Sequence, residues 1–258
     1  MKQSDANEAV CTYLDWDSQF FQRRIARLNR RRLDEGSAAE ALAWCGENKI
    51  DCLYFLADAD DAKTVRLAQQ NNFIQTDVRV TFERLLTDDD RLLADSGDGM
   101  VRLGDERDLV ALCKIAATCH QDSRFYFDEE FERSKCDLLY ATWIENSFKG
   151  FAQAVLVVEV AAQPVGYITC HLSGSESRIG LVGIADSQKG KGLGKKLVKR
   201  FLAWSLEQGA HRATVVTQGR NTGAQRLYQR CGFLTFSFQV WYHRWFEERQ
   251  GKRKGRNR

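Results

Sequence analysis

A chain of 258 residues that is 43% hydrophobic can fill one large or two small cores. Its formal charge of +3 resides in the last seven residues, KRKGRNR. Without their five cations, 33 basic groups face 35 acidic ones, so the body offers no positive field for nucleic acid. No apolar run approaches the ~18 residues of a membrane span, and the opening MKQSDANEAV has no apolar core of signal-peptide length. The eight cysteines are scattered without a CxxC pair. They read as free, small core residues in a reduced, cytoplasmic protein with no metal site.

In chain order, residues 13–28 contain a strand-like stretch at Ile25–Leu28. Ser37 and Glu40 form a Ser-x-x-Glu capping box that opens the helix SAAEALAWCGEN, with Leu42 and Cys45 on one face. Asp51–Leu56 is a short apolar strand, Asp60 or Asp61 caps a second helix through Gln70, and Thr76–Leu86 alternates as a strand. A strand–helix–strand–helix–strand order therefore fills residues 1–90. The acidic, glycine-containing segment 91–99 reads as a linker, residues 100–247 as a second domain and residues 248–258 as a basic disordered tail.

The second domain opens with a strand at Met100–Leu103, and Asp105 caps the helix ERDLVALCKIAATC. HQDSRFYFDEEF follows without helical or strand periodicity. A helix over Phe131–Phe148 then places Leu138, Leu139, Thr142 and Trp143 on one face. Strands Ala154–Val160 and Val165–Leu172 are joined by AAQP, with the only proline, Pro164, in the turn. A faint echo links VRLAQQNNF (65–73) with QRLYQRCGF (225–233). At an offset of 160 the pairs Arg66/Arg226, Leu67/Leu227, Gln69/Gln229 and Phe73/Phe233 coincide, while Ala68 stands where Tyr228 does.

Chemistry concentrates in residues 178–233. Gly190, Gly192 and Gly194 lie between an apolar strand and the amphipathic helix KKLVKRFLAWSLEQG, so backbone N–H groups and the helix dipole can converge on a phosphate. Lys189, Lys191 and Lys195 add charge. The glycine spacing is too tight for a dinucleotide GxGxxG, and Leu193-Gly194-Lys195-Lys196 lacks the hydroxyl of a nucleoside-triphosphate loop. A diphosphate bound without metal is what remains. Some thirty residues on, Asn221, Ala224, Leu227, Tyr228, Gly232 and Phe233 spell N-x-x-A-x-x-L-Y-x-x-x-G-F.

These two linked motifs resemble those of the Gcn5-related N-acetyltransferase (GNAT) superfamily, over roughly residues 100–246. LDWDSQFF, QDSRFYFD, YATWIEN, SRIGLV and VWYHRWF look like the dTDP-4-amino-4,6-dideoxygalactose (dTDP-fucosamine) N-acetyltransferases of bacterial surface-polysaccharide synthesis, although IADSQK makes the loop longer here. The resemblance implies a mixed α+β fold, a central mixed sheet with flanking helices, preceded by a smaller α/β domain; if the echo at 65–73 is a true repeat, that domain is a degenerate half-copy. It implies acetyl-CoA as co-substrate, with the pantetheine arm between two parallel strands at Ile179–Ile184 and Thr214–Thr217. The arm would pair with Val182, Gly183 and Ile184, and the pyrophosphate would rest on Lys189, Gly190, Lys191, Gly192, Leu193, Gly194 and Lys195, with Asn221 and Ala224 nearby. Lys189 stands where the family usually has Gln or Arg.

On the same resemblance, Tyr228 is the general acid that protonates the departing thiolate. His120, Asp122, Asp128, Glu129, His171 or a water chain could take the amine's proton. Ser123, Arg124, Phe125 and Tyr126 are the expected contacts to a nucleotide-sugar acceptor, with Arg124 on a phosphate and Phe125, Tyr126 or Phe127 stacked on a base or sugar. Other amines, a protein N-terminus, or a non-catalytic acetyl-CoA sensor are the competing readings. QVWYHRWF could extend a sheet into a homodimer or line the core.

Overall fold

The computed structural model describes residues 9–92 and 100–246. Most of the expected linker and all of the expected tail lie outside the described residues. The chain forms two compact units, Met1–Val78 with Phe238–Arg258, and Arg79–Ser237. The division runs through two long strands, whereas the sequence reading divides the chain at 91–99 and assigns everything from 100 to 247 to one domain.

The first unit begins with β1 (Cys11–Tyr13), helix α1 (Asp15–Phe21) and β2 (Ile25–Leu28). Of these the sequence reading finds only β2, because β1 and α1 are too short for a periodic signal. Helix α2 (Glu35–Glu47), β3 (Cys52–Asp58) and α3 (Ala62–Gln70) follow. Asp34, not Ser37, caps α2. Its carboxylate accepts from the Ser37 N–H at 2.7 Å, and the Ser37 hydroxyl answers the Asp34 N–H, so Ser37 is the last residue of the box, at N3, rather than the first. β1 pairs antiparallel with β2, β2 parallel with β3, and β3 antiparallel with residues 239–245 of the final strand, β10 (Leu234–Trp245). Leu53, Phe55, Ala41, Ala68 and Tyr242 belong to the core of this unit.

The second unit enters along β4 (Ile74–Leu85) and the short α4 (Asp89–Leu92), then β5 (Val101–Leu103), a 3-10 turn capped by Asp105, and α5 (Leu109–Cys119). Asp108 fastens this corner. Two oxygens of its carboxylate take two nitrogens of Arg102 at 2.8 Å each, which holds the acid below its ordinary pKa. Helices α6 (Arg124–Phe127) and α7 (Arg133–Asn146) follow, so part of HQDSRFYFDEEF is helical after all. The buried face of α7 is Cys136, Leu139, Tyr140 and Ile144, and Leu138 is 57% exposed, so the expected face is displaced by about 100°, the angle of one residue.

Strands β6 (Ala154–Val160) and β7 (Gln163–Ser173) are joined by Ala161 and Ala162, both at positive φ. Pro164 sits inside β7 opposite Glu159, where a bulge removes the need for its missing donor. β8 (Glu176–Ile184), α8 (Leu193–Glu207), β9 (Arg212–Gln218) and α9 (Thr222–Arg230) complete the unit. Its sheet runs β4–β9–β8–β7–β6–β5, with only β8 and β9 parallel. Helices α5 and α8 both pack on β7 and β8. Phe201, Leu202, Leu112 and Ile168 are fully buried there.

Candidate active site

The parallel pair β8–β9 is in register only from Glu176/Arg212 to Ile179/Val215. Beyond Ile179, β8 continues along β7, with Ile168 opposite Val182 and Gly166 opposite Ile184, and leaves β9 behind. The Ala185 N–H donates to Val165 O at 2.8 Å. By the two-residue alternation of a strand, the amide groups of Val182 and Ile184 then point away from β7 into the gap left by β9. At the start of the gap, Thr169 Oγ1 accepts the Leu181 N–H at 2.8 Å, so a side chain bridges the bulge where the β7–β8 ladder slips.

The gap opens into a cavity of about 620 Å³, a size ordinary for a small-molecule site. Val182, Gly183 and Ile184 line one wall; Lys189, Gly190, Gly192, Gly194 and Lys195 form the end where α8 begins; Asn221, Ala224 and Tyr228 come from α9 and its cap. Gly190 and Gly192, both lining the cavity, have φ of 79° and 78°, the left-handed region, so this turn requires glycine. Gly192 is the N-cap of α8 and supplies no side-chain oxygen, leaving the first-turn amides of a 15-residue helix for an anion. Gly194 serves packing, since a Cβ there would stand 3.2 Å from Leu227 of α9. Lys191 and Leu193 do not border the cavity: Leu193 is buried in the core, and Lys191 reaches back to Gln188. Lys189 pairs with Asp186 at 2.6 Å, which raises its pKa.

Tyr228 is 5% exposed, with its ring between Phe82 and Phe233. Burial, with Cys231 adding, pushes its phenol above the ordinary value, so the group stays protonated far past neutral pH. Asn221 caps α9 by accepting the Ala224 N–H at 2.9 Å, which fixes the turn of helix on which Tyr228 stands.

None of Ser123, Arg124, Phe125 and Tyr126 borders the cavity. Phe125 is 4% exposed and packs edge-on against Phe131 and Trp143, so it has no face for a ligand. The Arg124 guanidinium lies over the Phe125 ring at 4.2 Å. Tyr126 donates to Asp137 at 2.6 Å, and burial together with that carboxylate raises its pKa. Ser123 is buried at the start of α6. The sequence pattern could not separate these inward residues from Phe127, which is 54% exposed.

Of the candidate bases, Asp122 alone borders the cavity. The His120 ring is held between a hydrogen bond to Tyr167 at 2.8 Å and a stack on Tyr140; desolvation first, and Lys189 second, push it down to about 4. His171 lies against Phe151. Cys119, Arg226 and Arg230 also line the cavity and were not singled out from sequence; the i, i+4 spacing of the two arginines on α9 was the available signal. No group of three or more His, Cys, Asp or Glu able to hold a metal occurs among the described residues.

Parted parallel strands, a glycine turn before a helix and a buried tyrosine on one cavity agree with the comparison to known families, in which residues 111–233 match the acetyltransferase (GNAT) family model. Residues 111–233 are a GNAT-family domain. The chain is 31% identical over 146 residues to the dTDP-fucosamine acetyltransferase of Escherichia coli O6:H1, covering 54% of this chain and 60% of that one. It is 25% identical over 138 residues to the spore coat polysaccharide biosynthesis protein SpsD of Bacillus subtilis, covering 54% and 48%. The matches span only about half the length of these curated relatives. Likeness to solved structures extends over more of the chain: a functionally unknown conserved protein of Staphylococcus epidermidis has a TM-score of 0.65 at 14% identity over 93% of both chains. A GCN5-related N-acetyltransferase from Sphaerobacter thermophilus gives 0.62 at 14% identity over 91% of this chain and 76% of its own. No helix among the described residues is long and apolar enough to cross a membrane.

Proposed function

We propose that the protein transfers the acetyl group of acetyl-CoA to the amine of a nucleotide-activated aminosugar of the dTDP-4-amino-4,6-dideoxygalactose kind, within surface-polysaccharide synthesis. The observation that carries the transfer is the parting of β8 from β9 beside the Gly190–Gly194 turn, with Tyr228 on the same cavity. Acetyl-CoA supplies an activated thioester and a leaving thiolate. Val182 and Ile184 present strand amides that an extended polar arm can pair with, as an added strand would, and a donor among them can stabilise the developing oxyanion. The amides around Gly190 and Gly192, with Lys189 and Lys195, receive a pyrophosphate. Tyr228, kept protonated by burial, hands its proton to the thiolate.

The acceptor class rests on the 31% identity to the dTDP-fucosamine acetyltransferase and on the relation to a polysaccharide biosynthesis protein. A reducing cytoplasm fits both acetyl-CoA and eight free cysteines. The test is thiol release from acetyl-CoA across a panel of dTDP- and UDP-linked aminosugars, free aminosugars, polyamines and peptide N-termini. Fastest turnover with a dTDP-linked 4-amino sugar is expected. A polyamine or peptide as the best acceptor overturns the acceptor class, and acetyl-CoA binding without turnover on any amine leaves a sensor.

A further inference from the structure

Beside the cavity stands a pair of side chains that neither the acetyl-CoA contacts nor the proton transfer uses. Phe127 ends α6 and is half exposed, although Phe125 and Tyr126 of the same turn are held inward. Arg220 lies in the turn after β9, one residue before cavity-lining Asn221, and its guanidinium is 4.0 Å from the centroid of the Phe127 ring. Phe127 itself follows cavity-lining Asp122 by five residues. The pair therefore ties the loop after α5 to the loop after β9, at the carboxyl ends of the parallel strands, where ligands enter open α/β sheets.

Charge divides the site in the same way. Lys189, Lys195, Arg226 and Arg230 line the cavity with the glycine turn, while Asp122 is the one acid among the described residues bordering it. An acceptor that carries an amine at one end and phosphates at the other can place the amine near Asp122 and leave its phosphates outside. The Arg220 guanidinium covers one face of the Phe127 ring, but unlike Phe125 this ring is half exposed, so a flat base can stack on the pair from the solvent side while the edge of the planar fork meets phosphate oxygens. Arg124, the sequence candidate for that phosphate, is instead laid on the buried Phe125 ring.

We propose that Phe127 and Arg220 form the platform for the nucleotide portion of the acceptor, a pyrimidine nucleoside diphosphate; this rests on the nucleotide-sugar reading above. The probe is dTDP, titrated calorimetrically into protein saturated with acetyl-CoA, so that the glycine turn is already filled. Wild type binds dTDP, and Arg220→Gln and Phe127→Leu each weaken binding about tenfold or more while acetyl-CoA affinity stays within about twofold. In turnover, the same variants raise KM for the dTDP-linked aminosugar by about tenfold and leave KM for the sugar without its nucleotide unchanged. Failure of wild type to bind dTDP overturns the platform, as do variants whose dTDP and acetyl-CoA affinities fall together. Binding of dTDP through the pair without acetylation of any nucleotide-linked amine sustains the platform and removes the acceptor assignment. Acetylation of the nucleotide-linked amine with no dTDP binding does the reverse.

Discussion

Two stretches of this chain, 52–85 and 212–245, are built alike and differ in what they leave open. At a constant offset of 160 residues the strands Cys52–Asp58 and Arg212–Gln218, the helices Ala62–Gln70 and Thr222–Arg230, and the strands Ile74–Leu85 and Leu234–Trp245 have the same bounds. Asp61 caps the first helix through Thr64 N–H and Asn221 the second through Ala224 N–H. Two residues past each helix stands a positive-φ residue, Asn72 or Gly232, and the next N–H, of Phe73 or Phe233, donates back to the carbonyl of the third-last helical residue, Ala68 or Tyr228. The last strands are exchanged: β4 of the first stretch lies on β9 of the second, and β10 of the second on β3 of the first. In the second copy the parallel pairing of β9 with its neighbour β8 ends at Val215, beside the cavity. In the first, Asp58 N–H bonds Arg31 O, Leu33 N–H bonds Thr64 Oγ1, and Asp34 closes the helix start. The same scaffold is thus closed by hydrogen bonds at its strand end in one place and opens on a cavity in the other.

Tyr228 against Ala68 is the sharpest point of that contrast, and changing it has the largest expected effect. Tyr228→Phe keeps the ring packing with Phe82 and Phe233 and removes only the proposed acid, so kcat is expected to fall by about 10²-fold with acetyl-CoA affinity nearly unchanged. Steady-state kinetics with calorimetric binding reads this, and near-normal turnover removes the tyrosine from the mechanism. Ala68→Tyr transplants the phenol into a site with no exposed surface; it adds no activity and costs about 1–3 kcal/mol or more in urea unfolding.

Making the helix starts alike is the next break. Gly192→Asp gives α8 the kind of side-chain cap that α2 has, strains a φ of 78°, and sets a negative charge where a pyrophosphate is expected. KM for acetyl-CoA should rise about tenfold with a smaller change in kcat. Asp34→Ala, the converse, should cost about 1 kcal/mol of stability and no activity. If Gly192→Asp leaves KM untouched, the α8 amides do not hold the pyrophosphate.

What could be read from sequence divides along the same line. Gly190, Gly192 and the Asn221 cap were legible because positive φ and capping are local demands, visible in one turn of chain. The echo at 65–73 and 225–233 was legible as four coincident residues, but the exchange of β4 and β10 was not, because strand partners more than a hundred residues apart leave no periodic trace. The acceptor side failed for a related reason. Whether Phe125 or Phe127 faces outward depends on Phe131, just before α7, and on Trp143 and Asp137 within it, all later in the chain. Pattern alone treats the three aromatics of RFYF as equivalent.

The smallest expected effect tests the symmetry itself. Arg84 of β4 donates to Cys231 O, and Arg244 of β10 donates to Asn71 O, so each helix end is held by the corresponding arginine of the exchanged strand. The two are not equal. Arg84 also pairs with Asp90, whose side chain is fully buried, and its guanidinium closes over Gly232, where a Cβ would stand 2.7 Å from Nη1. Arg244 instead lies near the rings of Phe73 and Phe246. Lysine keeps the charge but cannot reach a carbonyl and a carboxylate at once, so Arg84→Lys should cost about 1 kcal/mol and Arg244→Lys about half of that. Urea midpoints at constant m-value separate the two. Equal losses would mean that the buried Asp90 draws nothing from the fork, and that the two repeats are closed by the carbonyl contact alone.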